Sequence, residues 1–232
     1  MSTTRSSIPT KTELIDLAIA DIALSIAFAI VLSGFKDVFY YLPITLFAVT
    51  ISFVLHEYMH KIVAQRYGAI AAFRRSDIGI VIALITSFFG FLMAMPGATM
   101  IYTNNFTKKE DGGVSLAGPL TNLIIFAVVF LMLFFLPIKN NYIILALYFA
   151  AFINLWLAYF NLLPIYPLDG SKVLRWNMPL YVVFLGGTIL LLLFISPLLG
   201  LSMIEMLYNI VFLLIIAVVM STFYRGVLFR RF

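Results

Sequence analysis

Seven apolar runs, each about as long as a bilayer is thick, leave this chain few ways to fold. Six read directly as transmembrane helices: 14–35, 40–64, 114–137, 142–163, 180–199 and 203–224. The seventh, 78–102, holds 25 residues without a charge. In hydrocarbon every backbone N–H and C=O needs a partner within the protein, which a helix supplies by itself. Hydrophobic residues make up 63% of the chain and charged residues only 11%, against about 25% charged in a soluble domain. The fold class that follows is an all-α polytopic membrane protein of about six transmembrane helices, with almost nothing left over for a soluble domain. The first run is longer than the core of a secretory signal peptide, and no small-residue cleavage site clearly follows it. It reads as a retained span. Asp16 and Asp21 near its start are expected at the interface or packed against neighbouring helices.

Charge decides how 78–102 is used. With six spans and the N-terminus in the cytoplasm, all of the 15 Lys and Arg residues except Lys36 and Lys139 fall inside. A single crossing at 78–102 would invert everything after it and leave the two sides about even, so the positive-inside rule selects six spans. This puts both termini on the cytoplasmic side of a multi-pass protein of the cell membrane. The formal charge of +5 fits that loop bias toward an anionic surface. The basic residues are scattered between spans, form no groove-sized cluster, and exclude nucleic acid as a partner. There is no cysteine, hence no disulfide, no thiolate metal site and no cysteine nucleophile.

Both histidines of the chain lie in His56-Glu57-Tyr58-Met59-His60, inside the second run. On a helix, positions i and i+4 share a face, so two imidazoles can converge on one metal ion. A glutamate between them can serve as the base that deprotonates water at the metal. His56 is 16 residues beyond Tyr40, roughly 24 Å along a helix, so the motif sits below the cytoplasmic surface. A polar cavity must let water reach it, and ionisable groups at such a depth mark function.

Two histidines do not complete a zinc site, and a third protein ligand is expected. The best candidate lies in Asn161-Leu-Leu-Pro164-Ile-Tyr-Pro167-Leu-Asp169-Gly170, just past the fourth span. The two prolines forbid a regular helix there, and a broken end can turn the short Asp169 carboxylate toward a neighbouring helix. The alternative is an ordinary Pro-Asp-Gly turn. The motif and Asp169 can meet one ion only if an even number of crossings separates them, and 114–137 with 142–163 already supplies two. Segment 78–102 must then return to its own side, as a re-entrant loop or a short β-hairpin, with a loose peripheral helix as the alternative. Gly90, Pro96 and Gly97 suit a broken segment. Glu205, the only glutamate after Glu110, starts the last span on the far side and is a poor third ligand.

The strings His56-Glu57-x-x-His60, Ala117-Gly118-Pro119-Leu120-Thr121-Asn122 and Asn161-x-x-Pro164-x-x-Pro167-Leu168-Asp169-Gly170 together resemble the site-2 protease family of intramembrane zinc metalloproteases. The match covers about residues 40–175, and the flanking spans agree only in being apolar and suitably placed. Ser171 stands where a second glycine is frequent in the family. The resemblance implies zinc (Zn2+) held by His56, His60 and Asp169, Glu57 as general base, and cleavage of transmembrane protein substrates within the lipid bilayer. It implies one membrane-embedded protease domain over 1–232, without room for the PDZ or CBS domain that many relatives carry. A developing oxyanion needs a further donor; Asn161 is the first candidate and Asn154 the second. Gly118, Pro119 and Asn122 are read as allowing close helix approach rather than touching substrate. The competing class is a non-proteolytic membrane metal-binding protein or transporter, which has no need of Glu57. Nothing in the sequence fixes the oligomeric state.

Overall fold

The computed structural model describes residues 8–103, 106–199 and 202–228, and side chains of the last helix only in part. Helix α1 (Lys11–Ser33) starts at a Thr10/Glu13 capping box and stops at Gly34, whose φ of 53° is the left-handed conformation that glycine adopts at no steric cost. The second span, Val38–Arg66, has three parts: α2 (Val38–Val49), a π turn (Thr50–Val54) and α3 (Leu55–Arg66). Strand β1 (Ile70–Arg75), helix α4 (Asp77–Ser87) and strand β2 (Gly97–Tyr102) follow. Then come α5 (Lys108–Phe135), α6 (Asn141–Asn161), the short α7 (Asp169–Trp176), α8 (Met178–Ile195) and α9 (Met203–Leu228).

The protein is an all-α polytopic membrane protein. Five helices among the described residues are long and apolar enough to cross a bilayer, at α1, Val38–Arg66, α5, α6 and α8. They coincide with the first five expected spans to within a few residues. The sixth, expected at 203–224, falls in α9, whose described apolar stretch is Met203–Val219.

Segment 78–102 combines the expected alternatives. It opens as α4, loses regular structure after Ser87 and ends as β2. The partner of β2 lies before the segment: β1 pairs with it antiparallel, from Ile70↔Tyr102 to Arg75↔Gly97. Gly97 is needed here, because a Cβ would stand 2.5 Å from the Arg74 carbonyl oxygen. The inner face of this two-stranded sheet carries Ala71 and Phe73, both buried, and the Phe73 ring meets Phe53 of the π turn edge to face at 5.6 Å. Arg74, Ala98, Met100 and Tyr102 are exposed on the outer face.

Packing in a membrane gains little from hydrophobicity, since lipid is as apolar as leucine, and relies on close contact through small residues. Ala20, Ala27, Ala48, Ala150 and Ala158 are fully buried between helices, while Phe39, Phe134, Phe135 and Phe194 point outward. Helix α5 is the hub, packing on α6, on α3 and on α7, whereas α8 and α9 pack less extensively. Through α5 the histidine helix and the Asp169 helix share one neighbour. Asp16 faces Arg74 and Arg75 at 3.5 and 3.7 Å, and Asp21 accepts from Thr50 Oγ1 at 2.7 Å, so both pack against neighbouring elements.

Candidate metal centre

His56 and His60 lie one turn apart on α3, with Nε2 atoms 3.0 Å from each other. Their other ring nitrogens both face oxygen acceptors: His56 Nδ1 meets Asn122 Oδ1 at 2.5 Å, and His60 Nδ1 meets the Val114 carbonyl at 2.8 Å. The Asn122 carboxamide is oriented by its own donors, which reach the Ser52 carbonyl at 3.0 Å and Asn154 Oδ1 at 2.9 Å. Its oxygen must therefore accept, and the His56 ring must donate from Nδ1. Val114 imposes the same tautomer on His60. A neutral imidazole has a single N–H, so both Nε2 atoms present lone pairs to the space between them. The π turn contributes by placing the Ser52 carbonyl, in the wide part of the span, where Asn122 can reach it.

Asp169 is the first residue of α7. It arrives there because the chain breaks after Asn161, passes Pro164 and Pro167, and re-enters a helix tight against the end of α6. Gly170 permits that approach: a Cβ would stand 2.1 Å from the Leu162 carbonyl oxygen and 2.6 Å from that of Leu163. Asp169 Oδ2 lies 3.4 Å from His56 Nε2 and 3.2 Å from His60 Nε2.

Two lone pairs and a carboxylate oxygen thus converge with no donor of their own between them, an arrangement that suits a bound cation. The three ligand atoms lie within 4.8 Å of one another. Nitrogen and oxygen donors about 2.1 Å from a tetrahedral zinc lie roughly 3.4 Å apart, close to the observed spacings. Gly118 gives an independent sign. A Cβ there would stand 2.5 Å from His56 Nε2 and 2.5 Å from His60 Nε2, so the small residue keeps the space in front of the imidazoles open.

Glu57 points from α3 to β2. Its Oε2 accepts from the Thr99 backbone N–H at 2.7 Å and from Thr99 Oγ1 at 2.8 Å. On the other strand, Phe73 N–H donates to Glu13 Oε1 at 3.2 Å. Phe73 and Thr99 are register partners, and both send their amides away from the sheet. Antiparallel pairing alternates between inward and outward amides. Ala98 and Met100 therefore bond β1, while Gly97, Thr99 and Ile101 carry N–H groups on the outer edge of β2.

The other expected site residues do not join the trio in the same way. Asn154 is fully buried, and both of its amide hydrogens are spent, on Ser52 Oγ at 2.9 Å and the Ala150 carbonyl at 2.8 Å. It belongs to the network behind His56 and has no donor left for an oxyanion. Asn161 spends one amide hydrogen on the Leu157 carbonyl at 3.0 Å. Glu205 completes a cap at the start of α9, accepting from Ser202 N–H at 2.7 Å. Sequence reasoning missed Asn122 as the partner of His56 and Thr99 as the partner of Glu57. The first stands in a string already read for its packing, while the second carries no local signal at all.

Residues 137–180, which hold α6, the broken loop and Asp169, match the description Peptidase family M50. A protein of Methanocaldococcus jannaschii named "Putative zinc metalloprotease MJ0611" is 44% identical over 167 residues, covering 71% of this chain and 84% of that protein. "Zinc metalloprotease MJ0392" of the same organism is 32% identical over 126 residues, 54% of this chain and 31% of its own length. "Putative zinc metalloprotease YwhC" of Bacillus subtilis is 28% identical over 194 residues, 70% of this chain and 87% of that protein.

Proposed function

This chain belongs to peptidase family M50, the site-2 protease family, and on that premise we propose that it is a zinc metalloendopeptidase hydrolysing peptide bonds in or near transmembrane segments of membrane proteins. The observation that carries the reading is the convergence of two imidazole lone pairs and the Asp169 carboxylate beside Glu57 in a membrane-embedded helix bundle. The proposed catalytic core is 40–175.

His56, His60 and Asp169 hold the metal, and Asn122 and the Val114 carbonyl fix the rings that do so. Such outer hydrogen bonds orient metal ligands and raise their basicity. Zinc, when bound, supplies Lewis acidity that polarises a carbonyl and acidifies water. Glu57 takes the proton of the attacking water and returns it to the leaving amine. Asn161, which keeps one amide hydrogen beyond its bond to Leu157, is the proposed oxyanion donor.

A helical substrate hides its carbonyls in its own hydrogen bonds and must unwind before attack. The outward amides of Gly97 and Ile101 on β2, flanking the Thr99 amide that Glu57 holds, offer the unwound part an edge on which to add as a strand. Lys61 and Arg66 lie on α3 and Lys172 and Arg175 on α7, the two helices that carry the proposed ligands, and Lys172 and Arg175 each face Asp111 at 3.6 Å. This supports a site reached from the cytoplasm, with both termini on that side of the cell membrane.

The test is metal analysis of the purified protein together with cleavage of a membrane-spanning peptide by wild type and by Glu57→Gln. The expected result is bound zinc in both and cleavage in wild type alone. Full function of Glu57→Gln would overturn the mechanism and leave metal binding or transport without hydrolysis.

A further inference from the structure

We propose that Thr99 is a positioning residue for the reaction: it fixes Glu57 so that Oε1 rather than Oε2 is the oxygen that handles the proton. The proposal rests on Glu57 being the base. Thr99 offers two donors to a single oxygen, its N–H at 2.7 Å and its Oγ1 at 2.8 Å, and Oγ1 also lies 3.0 Å from the Glu57 backbone carbonyl. The hydroxyl has a single hydrogen, and the shorter contact assigns it to the carboxylate, with the Glu57 backbone carbonyl close by. No lysine or arginine pairs with Glu57 among the described residues, so the Thr99 donors are the polar contacts that orient the carboxylate. Oε2 is already occupied by the Thr99 donors, which leaves Oε1 as the oxygen with lone pairs free for the proton.

A purely structural threonine in β2 would be replaceable by valine, which has the same shape and a higher strand propensity. A positioning threonine needs its hydroxyl. The experiment therefore uses full-length Thr99→Val, Thr99→Ser and Glu57→Gln, assayed on a membrane-spanning peptide that wild type cleaves, with zinc content measured for each. We expect Thr99→Val to keep its zinc and its KM while kcat falls roughly 10- to 100-fold, and Thr99→Ser to recover most of the loss.

Unchanged kcat in Thr99→Val, or equal loss in the serine variant, overturns the proposal. Full cleavage by Glu57→Gln instead overturns the underlying reading of Glu57, so the two failures are distinguishable. A readout independent of activity is amide exchange resolved at single residues. Glu57→Ala should speed exchange of the Thr99 N–H about tenfold or more while Ala98 and Met100, bonded to β1, stay protected. Unaltered exchange at Thr99 in that variant would show that the tie to Glu57 does not exist and would equally overturn the proposal.

Discussion

Two glutamates hold the two edges of the small sheet, at the same register position, and they are held in opposite ways. Glu13 of α1 takes the Phe73 amide on the β1 edge, caps its own helix through Thr10, and pairs with Lys61 Nζ at 2.6 Å. Both members of that pair are about 2% exposed, so the negative charge is cancelled where it lies. Glu57 takes the Thr99 amide on the β2 edge and has no such cation. Its proposed compensation is a cation held by His56 and His60, which flank it on α3, and by Asp169 of α7. The same side chain, docked on the same kind of backbone donor, is a structural bolt on one edge and the proposed base on the other. What separates them is the nearest positive charge. Lys61 is covalently part of the protein, whereas the charge proposed near Glu57 is that of a bound ion, which can be lost or gained.

The comparison can be tested at each edge. The largest effect belongs to Glu57→Gln, which should lower peptide cleavage by about 10²- to 10⁴-fold with thermal unfolding and zinc content close to wild type. Glu13→Gln should do the reverse. It strands Lys61 in the interior, and breaking one partner of a buried pair costs about 3–5 kcal/mol, visible as a lowered unfolding midpoint in detergent. Glu13→Leu combined with Lys61→Met should restore much of that midpoint, because the pair is then replaced by packing. If Glu13→Gln were as stable as wild type, the bolt would be no bolt. Gly118→Ala probes the charge that Glu57 depends on: its methyl meets both Nε2 atoms, and zinc affinity measured by chelator competition should fall about 10- to 100-fold. The smallest effect belongs to Ile101→Pro. It removes an outward amide of β2 and none of the inward ones, so KM for a membrane-spanning peptide should rise about 3- to 10-fold while zinc binding and unfolding stay put. An unchanged KM would remove strand addition at this edge from the mechanism.

Much of this was legible in the chain, for physical reasons. A span must be apolar over its whole length, so five helices could be read from composition alone. The i, i+4 histidines and the Pro-broken Asp169 segment carry their geometry locally. The course of 78–102 was half legible: parity required a return to the same side, but the pairing partner of β2 lies upstream at Ile70–Arg75, and nothing in an isolated strand names its mate. Glu13 shows the same limit. Thr10-x-x-Glu13 is a visible capping pattern, which starts α1 three residues before the expected run, yet its bond to Lys61, 48 residues on, depends on how α1 and α3 pack. Asn122 and Thr99 act through contacts 66 and 42 residues away. Such hydrogen bonds are consequences of the assembled bundle and have no period or spacing to betray them.

The π turn at Thr50–Val54 carries one more residue than an α turn would. The span on either side of it is therefore out of phase by about one residue, or about 100° of rotation. The upstream half, with buried Thr45 and Ala48, and the downstream half, with His56 and His60, are aimed independently of each other. An uninterrupted helix would have to choose between seating α2 against its neighbours and turning the imidazoles toward Asp169. The extra residue works as a coupling between two misaligned shafts, letting one rod through the membrane serve two directions at once.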